Sequence, residues 1–446
     1  MTTVLGRPPS FKPAIVSLLL LVAGSLRAPA DRASSADFNV LLSPSPLFLR
    51  QGSAMNVTAT IPGTFQYLPE GLFRWEEAAA PLLGEFEKPG LFRAHRAGKT
   101  RITAEPNFSM ASRARLRKTV EVEVSPARSF PQNPAKEVVA AYYPWFSERY
   151  RPPAPRPQAC ELWSVYTPTL KPYDPQSEEA LAQHIRMAKD GGIDAFAVSW
   201  FTNRLIFDFD YAKLFSPCLD ALIRLAPGFG FKVYILYESH MNLLRWDGDW
   251  IPLLTAEDRA RARRDAEADF RFLLGQIAPV EDEPAFFVYL AEAVGLRPDD
   301  WAAVFAAVRH DFPQARFYAD TYNLAYLTAF DGLFDYGACF YESLMDQYDA
   351  LAVRVKQAGA AKRFFATAGP GFDARLYWGP STLLVPRADG AFYKYTWDRA
   401  LAARPDGVFI TSWNEWGEST MIEPSKQYGY AYLDITADAV VRLKIE

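Results

Sequence analysis

The second part of the chain, from residue 137 onward, repeats one pattern: a short apolar run, a polar connection, then a stretch with helical spacing. Nearly continuous apolar runs are typical of parallel strands that are covered on both faces. Eight such runs occur, which predicts eight strands. They are 138–143, 193–199, 232–237, 285–290, 316–320, 332–336, 364–368 and 407–411.

Helical patterns lie between several of these runs. The run 178–189 ends at Gly191 and Gly192, which favour a helix stop, and 259–277 is a long helical pattern with one charged face. Eight strands in about three hundred residues predict a (β/α)8 barrel over 137–446. We find no Gly-rich phosphate-binding loop after any of the runs, which argues against a doubly wound nucleotide-binding sheet.

Residues 38–126 show a different pattern, with short alternating runs at 55–61, 100–104 and 119–124 separated by Gly, Pro and Asn. This predicts a small all-β sandwich ahead of the barrel. The stretch 90–104 resembles bacterial immunoglobulin-like domains, with the pattern of one hairpin. Residues 127–136 contain two prolines and no periodic pattern, so we interpret them as a linker.

The first thirty residues predict a signal peptide. A positive start with Arg7 and Lys12 precedes the apolar run 14–24, and Ala28-Pro29-Ala30 offers small residues at a cleavage site. The apolar run is short for a membrane span, so an uncleaved anchor is the weaker alternative. We therefore expect a secreted or periplasmic protein with no membrane span after cleavage.

Composition narrows the function classes. The chain has 446 residues, a formal net charge of −4 and 15% aromatic residues, with no long run of one charge. Nothing here indicates a nucleic-acid partner. Aromatic residues mostly fill cores, but they also stack on sugar rings. Three cysteines, Cys160, Cys218 and Cys339, leave a disulfide undecided, and the four histidines lack metal-ligand spacing, so we expect no metal and no cofactor.

The last predicted strand runs directly into the sequence WNEWGE at 413–418, followed by Ile422-Glu423-Pro424. Active sites of barrels lie at the carboxyl ends of the strands. Glycosidic cleavage needs one carboxylic acid to protonate the leaving oxygen and one carboxylate as nucleophile or base. Glu415 and Glu418 can face one sugar if the chain turns just past the strand. We therefore predict them as the catalytic pair.

This motif resembles the signature of glycoside hydrolase family 99, the endo-α-mannosidase and endo-α-mannanase group, and the related WbsX-like proteins. Further matches lie at 141–146, 192–200, 284–289 and 369–373, so the resemblance covers about 137–435 and excludes the sandwich. Two positions depart from the family pattern. Gly417 stands where a larger residue is usual, and the third strand ends Tyr237-Glu238-Ser239-His240 instead of a Glu-Pro-Tyr-like stretch, so mannose specificity does not follow from the motif.

The resemblance implies a retaining mechanism without a metal. Glu415 would deprotonate the sugar 2-hydroxyl, which attacks C1 and forms a 1,2-anhydro sugar. Glu418 would protonate the leaving group and later activate water. The resulting expectation is an endo-acting hydrolase of α-linked bonds in an oligosaccharide or polysaccharide outside the cytoplasm.

Further residues are predicted to contact substrate because they lie in the motif or at strand ends. They are Tyr143, Trp145, Trp200, Glu238, His240, Tyr289, Trp413, Asn414 and Trp416. For Trp145 and Trp200, a core aromatic role is an equal alternative. Two other functions compete with hydrolysis. One is a WbsX-like glycosyltransferase or polysaccharide-processing protein, which the signal peptide argues against because nucleotide sugars are cytoplasmic. The other is a non-catalytic carbohydrate-binding barrel, which the two glutamates argue against.

Overall fold

The computed structural model describes residues 41–445 with gaps, and the predicted signal peptide lies outside the described residues. The described ranges are 41–43, 47–51, 54–60, 67–68, 73–78, 82–106, 117–126, 128–146, 164–170, 173–174, 177–202, 211–246, 250–251, 253 and 255–445.

The N-terminal part consists of short strands without a described helix. These strands are β1 (Leu41–Ser43), β2 (Leu47–Arg50), β3 (Ala54–Asn56), β4 (Thr58–Thr60), β5 (Tyr67–Leu68), β6 (Phe73–Glu77), β7 (Gly84–Lys88), β8 (Leu91–Ala94), β9 (Gly98–Pro106) and β10 (Lys118–Ser125). They form three small sheets in the orders β1-β4-β5, β2-β10-β9-β6 and β3-β8-β7. The pairs are antiparallel except for β2 with β10.

The stretch 90–104 differs from the predicted hairpin. Its strand β8 pairs with β3 and β7, whereas β9 pairs with β10 and β6, so the chain passes from one sheet to another at 95–97. Buried residues such as Phe92 and Ile102 alternate with exposed ones, as expected for sheets with one covered face. The immunoglobulin-like assignment stays a prediction.

A closed barrel of eight parallel strands follows, which confirms the predicted (β/α)8 fold. Its strands, each within a few residues of the predicted runs, are β11 (Glu137–Tyr142), β12 (Ala195–Trp200), β13 (Lys232–Glu238), β16 (Ala285–Tyr289), β17 (Arg316–Asp320), β18 (Gly332–Phe334), β19 (Arg363–Ala368) and β22 (Gly407–Ile410). The last strand pairs with both β19 and β11, which closes the barrel.

Helices cover the outside of the barrel, and two short hairpins lie in its loops. The helices are α1 (Glu178–Asp190), α2 (Tyr211–Leu225), α3 (Ser239–Leu243), α4 (Ala256–Ile277), α5 (Pro298–Asp311), α6 (Glu342–Met345), α7 (Tyr348–Ala358), α8 (Arg375–Trp378), α9 (Ala391–Ala402) and α10 (Ala431–Ile445). The hairpins are β14 (Arg245–Trp246) with β15 (Trp250–Ile251), and β20 (Phe372–Asp373) with β21 (Leu384–Val385). Helix α1 begins at Ser177, whose hydroxyl accepts from the amide of Ala180.

The barrel interior is layered. At the amino end of the strands, buried Glu137 accepts hydrogen bonds from Lys232 at 2.5 Å, Tyr234 at 2.8 Å and Arg363 at 2.6 Å. In the middle, the Phe287 ring lies 4.9 to 5.1 Å from a group of aromatic rings. These belong to Tyr318, Phe334, Phe365 and Phe409. These two layers fill the interior at the amino end and in the middle, so the carboxyl end is the open end of the barrel.

The predicted linker packs on the barrel. Arg128 donates to the carbonyl of Asp434 at 3.0 Å, Asn133 to the carbonyl of Lys444 at 3.2 Å, and Lys136 to that of Pro405 at 2.7 Å. Residues 128–136 therefore behave as part of the barrel surface and not as a free spacer.

Candidate active site

The loop after β22 folds back on itself directly beyond the strand. The Ser412 amide donates to the Thr420 carbonyl at 2.9 Å, and the Ile422 amide donates to the Ser412 carbonyl at 3.0 Å. Between these closing bonds, Trp416–Glu418 forms a single 3-10 turn that starts just after Glu415. The turn therefore carries both predicted catalytic glutamates at its two ends, which a straight strand would point in opposite directions.

Two tyrosine hydroxyls form a hydrogen-bonded chain to Glu415. Tyr336 donates to Glu415 Oε2 at 2.7 Å, and its hydroxyl oxygen lies 2.5 Å from that of Tyr143. Either hydroxyl can be the donor in the second bond. Burial, and then the negative charge of Glu418, raise the pKa of Glu415 well above its usual value, against the lowering effect of the Tyr336 hydrogen bond.

A third carboxylate, Glu238 at the end of β13, lies near this pair. Ser199 on the neighbouring strand β12 donates a hydrogen bond to it. Burial, and then the negative charge of Glu418, raise the pKa of Glu238 to about 7, against the lowering effect of the Ser199 hydrogen bond. His240 Nδ1 lies 3.8 Å from Glu238 Oε2, and burial lowers the pKa of His240 to about 4, so its ring is neutral at neutral pH.

Tyr289, the last residue of β16, lies between His240 and Tyr336. Its ring centre lies 5.5 Å from that of His240 and 5.2 Å from that of Tyr336. Burial, followed by the negative charges of Asp320, Glu238 and both candidate glutamates, raises its pKa well above the usual value. The structure thus brings together Glu415, Glu418, Tyr143, Glu238, His240 and Tyr289, six of the residues predicted from the sequence. We call this cluster of side chains the chamber.

Asp320 fixes the backbone that carries Tyr289 and Tyr336. Its carboxylate accepts from the amides of Leu290 at 2.9 Å and Tyr336 at 3.0 Å, which joins the ends of three strands. Burial, and then the neighbouring negative charge of Asp335, raise the pKa of Asp320 to about 8.

The structure places four other predicted site residues away from the chamber. Trp200 follows inward-facing Ser199, so it points outward, where its ring stacks on Tyr237 at 6.1 Å. Trp413, Asn414 and Trp416 have no exposed surface. We therefore assign these four side chains to packing and support instead of substrate contact.

Trp145 keeps a position at the rim of the barrel. Its side chain is partly exposed, and its ring lies 4.8 Å from that of Tyr143 and 5.1 Å from that of Phe201. Stacking on a sugar therefore stays a prediction for Trp145.

Sequence reasoning did not identify Tyr336, Ser199 or Arg387 as site residues. Buried Arg387 donates to the carbonyls of Ser419 at 2.7 Å and Met421 at 2.9 Å, and its guanidinium lies 3.9 Å from the ring centre of Tyr432. It thus holds the end of the glutamate-bearing loop. The position of Tyr336 at the end of a predicted strand was an available signal; Arg387 lies in a loop without a motif.

Among the described residues, no cluster of three or more His, Cys, Asp or Glu side chains has metal-binding geometry. Cys218 and Cys339 are buried free thiols, whereas Cys160 lies outside the described residues. No described helix is long and apolar enough to cross a bilayer.

Comparisons with known proteins found similarities in sequence and in fold. A model of the glycosyltransferase WbsX family matches residues 320–436. The human glycoprotein endo-alpha-1,2-mannosidase-like protein is 24% identical over 314 residues, which cover 66% of this chain and 64% of the human protein. The WxcX protein of Xanthomonas campestris is 51% identical over 35 residues, 8% of this chain and 5% of that protein.

A solved structure with a similar fold is the GH99 endo-alpha-mannosidase from Bacteroides thetaiotaomicron. It has a TM-score of 0.54 and 20% identity, and the match covers 69% of this chain and 98% of that one. This likeness shows the barrel fold. Together, these similarities support the predicted resemblance to GH99-like and WbsX-like proteins.

Proposed function

We propose that this protein is a retaining glycoside hydrolase that cleaves α-linked bonds in an extracytoplasmic oligosaccharide or polysaccharide. The observation that carries the proposal is the pairing of Glu415 and Glu418 on one turn at the carboxyl end of the barrel. They are near enough that the charge of Glu418 raises the pKa of Glu415. Two carboxyl groups in one chamber supply the acid and the base that glycosidic cleavage requires.

In the proposed reaction, the Glu415 carboxylate takes the proton of the sugar 2-hydroxyl. The freed oxygen forms a bond to C1 while the bond from C1 to the leaving oxygen breaks, and Glu418 transfers its proton to that oxygen. Glu418 then takes a proton from water, whose oxygen attacks C1 and opens the anhydro ring. Protonated Glu415 returns its proton to O2, so both glutamates end as they began.

The surroundings of Glu415 support its role as the base. A raised pKa makes a carboxylate a stronger base for a weakly acidic hydroxyl. Tyr336, which donates to Glu415 Oε2, favours its ionised form and fixes its orientation.

An α-mannosidic bond is the substrate that the proposal favours. In α-mannosides, O2 and the leaving group are both axial and trans, which is the geometry that internal attack needs. The names of the human and Bacteroides proteins point in the same direction. Endo action and export through the predicted signal peptide belong to the same proposal.

Hydrolysis is tested with the purified mature chain on α-mannans and bacterial exopolysaccharides. Reducing ends should appear with the wild type but not with Glu415→Gln or Glu418→Gln. Release by both variants at the wild-type rate would contradict the assignment of the pair.

The anhydro route is tested separately with a 2-fluoro sugar that carries a good leaving group. Without O2 the internal attack is impossible, so intact-protein mass spectrometry should find no adduct. A stoichiometric adduct on Glu415 would instead indicate a glycosyl-enzyme ester, with the hydrolase proposal intact.

The WbsX family match supports glycosyl transfer as a second candidate. Transfer would appear as a new glycoside with an added acceptor sugar, from a nucleotide sugar or from a cleaved donor glycan. Products formed only from a nucleotide sugar would favour this second function over hydrolysis.

A further inference from the structure

The third carboxylate of the glutamate-bearing loop, Glu423, does not face the chamber. Its side chain has no exposed surface and lies behind the turn, where it contacts side chains from three parts of the chain. Tyr173 donates to Glu423 Oε2 at 2.6 Å, and the Trp416 indole donates to the same oxygen at 3.2 Å. His184 Nε2, on helix α1, lies 3.1 Å from the other oxygen, Oε1.

These contacts reach both neighbours of Glu415 in the sequence. Trp416, which follows Glu415, bonds Glu423 directly. Asn414, which precedes it, donates to the Tyr173 hydroxyl at 3.2 Å, and that hydroxyl donates to Glu423. The Asn414 amide also bonds the backbone of Tyr143 in both directions, at 2.7 and 2.8 Å. The residues on either side of Glu415 are thus tied to one buried carboxylate.

Helix α1 supplies the rigid end of this arrangement. His184 has no exposed surface, and its Nδ1 lies 3.0 Å from the Tyr142 hydroxyl on β11. The Glu423 amide itself donates to the Trp413 carbonyl at 2.9 Å, which holds the carboxylate close to the turn. A buried carboxylate is costly without partners, so the surrounding donors fix its place.

We propose that Glu423, held by Tyr173 and packed beside His184, is a positioning residue that fixes the turn carrying Glu415 and Glu418. This inference rests on the proposed hydrolase function. Glu423 touches no substrate and acts through Asn414, Trp416 and Tyr173. Misplacing catalytic groups by about 1 Å is enough to lower a rate roughly 100-fold.

The matched control is Glu137, a buried carboxylate at the opposite end of the barrel with three donors of its own. Glu423→Ala and Glu137→Ala are compared at a temperature where circular dichroism shows both folded. On an aryl α-mannobioside, Glu423→Ala should lower kcat about 100-fold with little change in KM. Glu137→Ala should keep kcat within about twofold, since its effect is on stability alone.

Glu423→Gln is the conservative variant. Its amide oxygen still accepts from Tyr173 and Trp416, so it should recover most of the activity with an unchanged pH profile. Equal kcat values for Glu423→Ala and Glu137→Ala would overturn the proposal. A Gln variant as poor as the Ala variant, or one with a shifted pH profile, would do so as well, because either result indicates a direct charge effect.

Tyr173→Phe covers the case in which Glu423→Ala does not fold. It keeps the ring and removes only the hydroxyl that links Asn414 to Glu423, so kcat should fall roughly threefold to tenfold. Wild-type kcat in this variant would overturn the proposal.

Hydrogen exchange separates the positioning role from the hydrolase function. Amides of the peptide 412–423 should exchange faster in Tyr173→Phe and Glu423→Ala than in the wild type, and at the wild-type rate in Glu137→Ala. If the wild type cleaves no α-glycoside but this pattern appears, only the hydrolase proposal fails. Unchanged exchange in both variants would reject the positioning role.

Discussion

At the scale of single residues, three carboxyl groups of the chamber repel one another when they are ionised. Glu415, Glu418 and Glu238 lie close enough that the charge of Glu418 raises the pKa of the other two, in addition to the effect of burial. Placing a full negative charge on all three is therefore unfavourable at neutral pH. A chamber that holds both a carboxylic acid and a carboxylate is the condition for acid–base work on a glycosidic bond.

The acid role of Glu418 predicts a dependence on the leaving group. Glu418→Gln removes the proton donor, so hydrolysis of sugars with poor leaving groups should fall by about 100-fold to 10,000-fold. Substrates with aryl or fluoride leaving groups need little protonation and should keep most of their rate. Steady-state kinetics on both classes measure the difference, and an equal loss on both would remove Glu418 from the acid role.

The hydrogen bond from Tyr336 predicts a pH effect. It stabilises ionised Glu415 and lowers its pKa, so Tyr336→Phe should raise that pKa further. The acidic limb of the kcat/KM profile, which reports ionisation of the base, should then move to higher pH. Tyr326→Phe is the control, because its hydroxyl donates to the Leu296 carbonyl away from the chamber. A limb that moves to lower pH would contradict the assigned direction.

The sequence could predict some of these residues but not their partners. Glu415 and Glu418 lie in one short motif after a predicted strand, so their position followed from local pattern and barrel geometry. Tyr336 and Ser199 contact their carboxylates from strands distant in sequence. Such pairs depend on the register of the barrel, which no local pattern specifies.

At the scale of elements, the loop between β22 and α10 is held from two sides. Glu423 anchors it from behind, and Arg387 holds the carbonyls of Ser419 and Met421 at its far end. Ser419 adopts a left-handed backbone with φ of 56°, which reverses the chain after the turn. The loop thus has fixed points on both sides of the two glutamates.

The Arg387 contacts predict coupled losses of stability and activity. Arg387→Met keeps much of the apolar packing but leaves two buried carbonyls without their donors, which should cost roughly 2–4 kcal/mol of unfolding free energy. Urea unfolding measures this, and kcat is measured under folded conditions. Arg309→Met is the control, since Arg309 also lies over aromatic rings, those of Phe305 and Phe317, but far along the chain from the loop. Wild-type kcat in Arg387→Met, or an equal loss of kcat in Arg309→Met, would contradict this role.

The eight barrel strands were predictable because both faces of each are covered, which leaves long apolar runs in the sequence. For the same reason, the sequence did not indicate whether Trp200 points into the barrel or towards the helices. When both faces of a strand are apolar, the alternation gives no sign of which residues face the barrel interior. The structure decides it through Ser199, which points inward to Glu238 and leaves Trp200 on the helix side.

At the scale of the whole molecule, the two ends of the barrel have opposite electrostatic character. At the amino end, Glu137 meets two cations, Arg363 and Lys232, which lower its pKa despite the opposing effect of burial. At the carboxyl end, carboxylates face one another and their pKa values rise. The ion pairs at the amino end therefore stabilise the barrel. Burying like charges costs free energy at the carboxyl end, where the chemistry is proposed.

The lowered pKa of Glu137 predicts a loss of stability in acid. Its stabilising contribution is complete above its unfolded pKa, near the ordinary value of 4.5, and is lost as the pH falls through the lower folded pKa. At pH 7, Glu137→Gln should lose about 1–3 kcal/mol of unfolding free energy, since Lys232 is half exposed. The difference from the wild type should shrink below pH 4.5 in urea titrations. A difference that grows in acid would contradict the sign.

The barrel should keep its activity without the N-terminal strands. The segment 128–136 bonds the carbonyls of Asp434, Lys444 and Pro405, so a truncation that tests the N-terminal strands should keep it and begin at Arg128. Every residue that we place in the chamber lies after this point, so kcat on small soluble substrates should stay within about twofold of the full chain. Because β3 lies against α1, removing the strands exposes part of that helix, and a modest fall in thermal stability is expected.

Circular dichroism verifies folding, and activity is compared at a temperature well below both transitions. A folded truncation without activity would show that the N-terminal strands contribute to the site, whereas a defect confined to long polysaccharides would assign them to substrate capture.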